Sequence, residues 1–160
     1  MNIPPHQYRG ATAMIALHDR YLREFVETWR RAKAAGVQLP QDSGDPNYIS
    51  LQALLRHVFR SARGYLTWMC EKLELPDPNI IPTWEDYEIE KHIDEYLDHL
   101  TDKWATPLKD LPPERFEDQT YLSRWNVPHT IEEMLEHAVM HPIRHTYQLE
   151  QLLSEHKKSC

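Results

Sequence analysis

The sequence predicts an all-α protein, a four-helix bundle with one long crossover connection. Four segments carry apolar residues at helical spacing, and stretches rich in Pro, Asp and Asn separate them. Between these segments, no window alternates apolar and polar residues for long enough to indicate a convincing strand. The 160 residues have the length of one ordinary domain, so we expect residues 1–160 to form a single domain.

The composition excludes several classes of protein. Apolar residues make up 41% and charged residues 27%, which is typical of a globular protein, and no apolar run is long enough for a membrane span. The net charge of -7 disfavours nucleic acid as a partner, because phosphate binding depends on clustered Lys and Arg. Two cysteines, Cys70 and Cys160, are too few for a disulfide framework. With no apolar signal-peptide core near the N-terminus, these features predict a cytoplasmic protein.

The first two segments are predicted from apolar stripes and from residues that start or end helices. Segment 10–35 carries a stripe that includes His18, and it ends at Gly36, a normal C-terminal stop. The second segment starts at Ser50, a favourable N-cap, and ends before Pro76.

The third and fourth segments follow two long connections. The stretch LPDPNIIP is stiffened by proline and could cross over the end of a bundle before a helix that begins after Thr83. The connection 108–128 has the length typical of a functional loop or of one packed by its own side chains. Thr130 and Glu133 then form the capping-box spacing that opens the last helix.

Histidine is the unusual component of this sequence, with ten residues of this type. Three of them, His137, His141 and His145, recur at four-residue steps in the last segment. At about 100° per residue, His145 lies in the centre of the apolar stripe, His141 about 40° from it and His137 at the edge. Residues four apart have Cβ atoms roughly 5–6 Å apart, so the imidazoles of His141 and His145 can share one ion at about 2.0–2.1 Å.

The inward orientation of this pair favours a metal over coincidence. An unpaired buried imidazole costs on the order of 1–3 kcal/mol, so the pair needs either a hydrogen-bond network or a metal ion. Two residues are candidates for the third ligand: His18, at the centre of the apolar stripe of the first segment, and His57, at the flank of the stripe of the second. A helical-wheel projection by itself favours His18. Gln148 is predicted to orient His145 or a bound water, with a simple core hydrogen bond as the alternative.

Two stretches of the chain resemble the DinB-like (DinB/YfiT) family of small bacterial metal-binding four-helix bundles. They are LLRHVFRSARGYLTW and TIEEMLEHAVMHPIRHTYQL, and the second is similar to the family signature H-x3-H-x3-H-x-x-Q. The resemblance implies His57, His141 and His145 as the metal ligands, and it therefore favours His57 over His18. The family's usual H-R-G-Q reads H-T-Y-Q here, and Pro142 predicts a kink between the two ligands of the last helix.

Three nitrogen ligands leave a fourth position open for water or substrate, which is the catalytic arrangement. We expect Zn or Ni, with Mn or Fe as alternatives. The resemblance implies a metal-dependent enzyme acting on a small-molecule substrate, of the kind of thiol-dependent transferases or isomerases that act on small electrophiles. Our first hypothesis is an S-transferase that uses a low-molecular-weight thiol. A metal-dependent hydrolase and a non-catalytic, metal-stabilised, stress-related binding module are the alternatives, and a homodimer is expected. No general base is identified, because Glu133, Glu136 and Tyr147 are near the ligands only in sequence.

Overall fold

The structure is a computed structural model that describes residues 3–40 and 44–159. These residues are mostly helical, which confirms the predicted all-α class. Cys160 lies outside the described residues, and Cys70 is a buried free thiol. The α-helices are α1 (Arg9–Ala34), α2 (Leu51–Lys72), α3 (Ile93–Trp104), α4 (Glu114–Glu117) and α5 (Ile131–Ser159). Short 3-10 turns at Pro46–Tyr48 and Ile89–His92 precede α2 and α3, and β1 (Tyr121–Leu122) pairs antiparallel with β2 (Pro128–His129).

The ends of α1 and α2 follow their local sequence signals. Gly36 follows α1 with a φ of 74°, a left-handed conformation that glycine adopts without a Cβ clash. The hydroxyl of Ser50 accepts a hydrogen bond from the backbone N–H of Ala53 at 3.0 Å, which confirms the predicted N-cap of α2. The indole N–H of Trp29 donates to the carbonyl of Leu51 at 2.6 Å, and this buried hydrogen bond links α1 to the start of α2.

Helix α3 begins at Ile93, later than the sequence predicted. The preceding residues use their side chains in tertiary contacts instead of continuing the helix backwards. Trp84 stacks on His92 with ring centroids 4.2 Å apart, and Arg56 of α2 holds Asp86 in an ion pair at 2.7 Å. The ion pair holds this segment against α2, and the segment is folded into turns. The apolar periodicity of the sequence gives no indication of these contacts.

The connection from α3 to α5 is packed by its own side chains. Phe116 of α4 is fully buried, and its ring lies 4.7 Å from that of Tyr8. The indole N–H of Trp68 donates to the carbonyl of Leu122 at 3.3 Å, so the β pair lies against α2. The sequence did not indicate this pair, because strands of two residues are too short to show alternation.

Helix α5 runs without interruption through Pro142. At its start, the Thr130 hydroxyl accepts from the Glu133 N–H at 3.1 Å and the Glu133 carboxylate accepts from the Thr130 N–H at 2.7 Å, which confirms the capping box. The hydroxyl of Thr146 donates to the carbonyl of Pro142 at 2.9 Å. The kink at Pro142 stays a prediction.

The apolar core lies where α1, α2, α3 and α5 meet. Among its largest fully buried side chains are Phe25 of α1, Phe59 of α2, and Tyr96 and Trp104 of α3. Helix α5 packs along α1 and also contacts α2, so one face of α5 points into the middle of the fold. Within residues 3–40 and 44–159, no helix combines the length and the apolar character that crossing a membrane requires.

Candidate metal centre

His57 of α2 converges with His141 and His145 of α5. The Nε2 atom of His141 lies 3.1 Å from Nε2 of His57 and 3.4 Å from Nε2 of His145. The potential ligand atoms of all three residues lie within 4.8 Å of one another. Ligands about 2.0–2.1 Å from a tetrahedral zinc ion are about 3.3 Å apart. These three histidines could therefore hold a metal ion.

The packing of α2 against α5 produces this convergence. His141 and His145 are neighbours on one face of α5, and their side chains are buried, at 5% and 4% exposed. His57 approaches from α2 and is partly buried, with its ring perpendicular to that of His145 at a centroid distance of 5.3 Å. The pair thus comes from local helical spacing, and the third imidazole comes from a neighbouring helix.

Burial keeps the three imidazoles in their neutral form. It lowers the pKa of His141 to about 2, and repulsion from the neighbouring histidines adds to this effect. It lowers the pKa of His145 to about 4, although the hydrogen bond to Gln148 acts in the opposite direction. Burial also lowers the pKa of His57, against a smaller effect of Asp45. Since the neutral imidazole is the form that binds metal, the site is ready for a cation at pH 7.

The N–H groups of the three imidazoles cannot form a hydrogen bond in both of the short Nε2–Nε2 contacts. The Nδ1–H of His145 donates to Oε1 of Gln148 at 2.8 Å, which leaves a lone pair on Nε2 of this neutral ring. Nε2 of His141 carries at most one hydrogen, and that hydrogen cannot point at both His57 and His145. One of the two short Nε2 contacts is therefore left without a proper hydrogen bond, whereas a cation between the nitrogens would bind all three lone pairs.

The structure places the other candidate ligands outside this group. His18 is buried, and its ring packs on Trp104 with a centroid distance of 4.1 Å. Of the two candidates for the third ligand, only His57 therefore meets the pair. His137 lies 5.3 Å from Tyr65 and 5.3 Å from Trp125 between ring centroids, and it is not one of the clustered ligands.

The three histidines line a cavity of about 800 Å³. Aromatic side chains form part of its wall: the ring of Tyr48 lies 5.8 Å from that of His145, and the ring of Tyr65 lies 5.7 Å from that of His141. The cavity is also lined by the indoles of Trp68 and Trp125 and by four arginines, Arg60, Arg63, Arg124 and Arg144. Sequence reasoning missed these residues, because they come from different elements and form no local motif.

The three residues considered as a general base from sequence proximity do not line the cavity. The carboxylate of Glu133 caps α5, Glu136 is exposed, and the side chain of Tyr147 is 65% exposed. Among the described residues that line the cavity there is no Asp or Glu. The site therefore combines three neutral nitrogens with cationic and aromatic walls.

The hydrogen bond from His145 to Gln148 leads to a testable expectation. Although Gln148 is an exposed residue, its Oε1 fixes the tautomer of His145 and directs Nε2 toward the other two histidines. We expect Gln148→Ala to weaken metal affinity about tenfold, the lower end of such effects. Gln151→Ala, an exposed glutamine on the same helix, is the matched control and should bind metal as the parent does. Competition with a chromogenic chelator measures both; equal affinities would show that Gln148 does not position His145.

No protein-family model matches the chain, and neither a curated protein nor a solved structure matches it. The DinB-like resemblance therefore depends on the two sequence stretches that carry it and on the positions of the three histidines.

Proposed function

We propose that this protein binds one divalent metal ion through His57, His141 and His145 and is a metal-dependent enzyme. The observation that carries the proposal is the convergence of three neutral imidazole nitrogens beside a cavity open to solvent. Three nitrogen ligands with an open fourth position are the arrangement of catalytic zinc sites. Zn or Ni is favoured because nitrogen ligands generally bind these ions more tightly than Mn or Fe, which are the alternatives.

We also propose that the fold is a DinB-like four-helix bundle with a crossover connection. Helices α1, α2, α3 and α5 share one core, and long connections join α2 to α3 and α3 to α5. The candidate ligands come from the second and the last of these four helices, which is where the resemblance implies them. This arrangement supports the family proposal.

Thiol transfer is the reaction that the residues of the cavity favour. A bound divalent ion would supply Lewis acidity toward a thiol or water. Hydrolysis assisted by a metal commonly uses a carboxylate as general base, as in H-E-x-x-H proteases, and no described Asp or Glu lines this cavity. A thiol needs less help, because it loses its proton near neutral pH when a cation or metal stabilises the thiolate.

The thiol must come from a second substrate, because the described cysteine of the chain is unsuitable. Cys70 is buried, and burial raises the pKa of its thiol to about 11. It also does not line the cavity. The proposed reaction is therefore the transfer of a low-molecular-weight thiol to a small electrophile: a C–S bond forms while the bond from the electrophilic carbon to its leaving atom breaks. An aryl halide would lose halide and the thiol proton would go to solvent, whereas an epoxide would open and its oxygen would take up the proton. A hydrolase and a non-catalytic, stress-related binding module are the alternatives, and the protein is proposed to act as a cytoplasmic homodimer.

Elemental analysis and activity assays test this proposal. Protein purified without added metal is expected to hold about one divalent ion per chain, and removing it with a chelator should lower the free energy of unfolding. A ligand at about 100 times its Kd stabilises a protein by about 2.7 kcal/mol. The metal-loaded protein should conjugate a small thiol to an aryl halide or an epoxide, and the metal-free protein should not.

The outcomes of these measurements separate the candidate functions. Protein that contains no metal and takes up none of the four ions would contradict the metal proposal. Bound metal with activity on esters but not with thiols would indicate the hydrolase. Bound metal with neither activity would indicate the non-catalytic module.

A further inference from the structure

The cavity beside the three histidines differs in charge from the rest of the protein. The chain has 25 acidic and 18 basic residues, for a net charge of -7. The cavity nevertheless receives four arginines, Arg60, Arg63, Arg124 and Arg144, and no Asp or Glu from the described residues. A concave site lined by one sign of charge focuses its field and concentrates ligands of the opposite sign.

Three of the four arginines have no partner within the described parts of the chain. Arg63 donates from Nε to the carbonyl of Ile80 at 2.9 Å and is thereby committed to the fold. Arg60, Arg124 and Arg144 make no such hydrogen bond or ion pair, whereas several other arginines of this chain are paired with carboxylates. The paired arginines are Arg23, Arg30, Arg31 and Arg56. The guanidinium groups at the cavity are therefore free to bind a ligand.

The guanidinium group of Arg124 lies next to a glycine of α2. A Cβ atom at Gly64 would lie 3.8 Å from Nη1 of Arg124, so this guanidinium lies across the helix at the position that lacks a side chain. Arg124 belongs to the segment between the two short strands and lines the cavity. A Cβ alone would fit beside this guanidinium, whereas a long side chain at position 64 would compete with it for space.

Arg144 lies on α5, next in sequence to His145, and also lines the cavity. The negative charge of Asp45 acts on His57 and Tyr48, but the side chain of Asp45 is not part of the cavity lining. The carboxylate of Asp45 is engaged by the backbone N–H and the side-chain amide of Asn47, each at 2.9 Å.

We propose that the cavity binds a small molecule with an anionic group, a carboxylate or a phosphate, which Arg60, Arg124 and Arg144 receive while its reacting part lies at the three histidines. The guanidinium fork matches both anions through paired N–H donors. The role of the reacting part rests on the proposed metal function. The recognition of the anion does not, because the arginines carry their charge without the ion.

Titration of the metal-loaded protein with simple anions tests this inference. Inorganic phosphate and succinate are the two probes, succinamide is their neutral counterpart, and binding is followed by calorimetry and by the fluorescence of Trp68 and Trp125, which line the cavity. At least one anion should bind in a salt-sensitive manner, and succinamide should not. A preference between phosphate and succinate identifies which anionic group the natural ligand carries.

Single-residue variants assign the binding to the arginines. Arg124→Gln and Arg144→Gln should each weaken anion binding about tenfold, the effect of losing one charge-assisted contact. Gly64→Leu keeps every charge and should also weaken binding, because its side chain displaces the Arg124 guanidinium. Arg20→Gln, an exposed arginine on α1 that does not line the cavity, should bind anions as the parent does.

Metal content, measured for every protein, separates this inference from the proposed function. Full metal content with weakened anion binding in the arginine variants supports the inference. It is wrong if neither anion binds, or if the double variant Arg124→Gln/Arg144→Gln binds them as the parent does. If the protein holds no metal, the proposed function fails, and the same titration of the metal-free protein still decides whether the arginines bind anions.

Discussion

His57→Ala and His141→Ala are expected to abolish metal binding at micromolar metal, whereas His18→Ala should leave it intact. The reason is geometric, because the Nε2 atoms of His57 and His141 lie 3.1 Å apart while His18 packs on Trp104. Zinc sites with four ligands provide about 10–16 kcal/mol, so one ligand is worth about 3 kcal/mol, or more than a hundredfold in Kd. Elemental analysis and chelator competition measure the loss.

His137→Ala is the matched control for this experiment. His137 lies on the same helix and lines the same cavity, but it is not one of the three clustered ligands. Its variant should hold metal as the parent does. Loss of metal in His18→Ala alone would contradict the assignment of His57, and loss in His137→Ala would mean that the bound state uses a different set of histidines.

Lowering the pH from 7 to 5 is expected to cost the protein about 2 kcal/mol of unfolding free energy through His18 alone. His18 is buried at 2% exposed, and burial lowers its pKa from 6.5 to about 3. The unfolded chain therefore binds a proton between these two values and the folded chain does not. The stability associated with His18 is fully present above pH 6.5 and is lost progressively as the pH falls toward 3.

His18→Leu tests this pH dependence, since leucine has a similar volume and no ionisable group. Urea unfolding of the metal-free parent and variant at pH 7 and pH 5 gives the difference. The variant should match or exceed the parent at pH 7, because Nε2 of His18 has no hydrogen-bond partner and its removal relieves an unsatisfied buried group. Between pH 7 and pH 5, the difference in unfolding free energy between variant and parent should change by about 2 kcal/mol in favour of the variant. An identical pH dependence in the two proteins would show that the folded protein protonates His18 as readily as the unfolded chain does.

Local signals predicted most helix ends, and the exceptions have a physical cause. Ser50 and the Thr130–Glu133 capping box mark the starts of α2 and α5, because a cap involves residues within four positions of one another. The start of α3 was predicted too early, since the preceding turn is held by the stacking of Trp84 on His92 and by an ion pair from Arg56. Such contacts join residues that lie beyond the four positions over which a cap acts.

The residues of the candidate site also divide into those that the sequence predicted and those that only the tertiary structure brought together. The sequence by itself determined the all-α class and the inward pair of His141 and His145, because helical periodicity fixes which residues of one helix share a face. A helical-wheel projection cannot show which neighbouring helix that face meets. It favoured His18 over His57 because His18 lies at the centre of its apolar stripe and His57 at the flank. The resemblance of two sequence stretches implied His57, and the tertiary structure brings it to the pair. Only the tertiary structure gathered the arginines of the cavity from two helices and a loop. Both outcomes depend on how α2, α5 and the connection before α5 pack together, which no single segment of the sequence specifies.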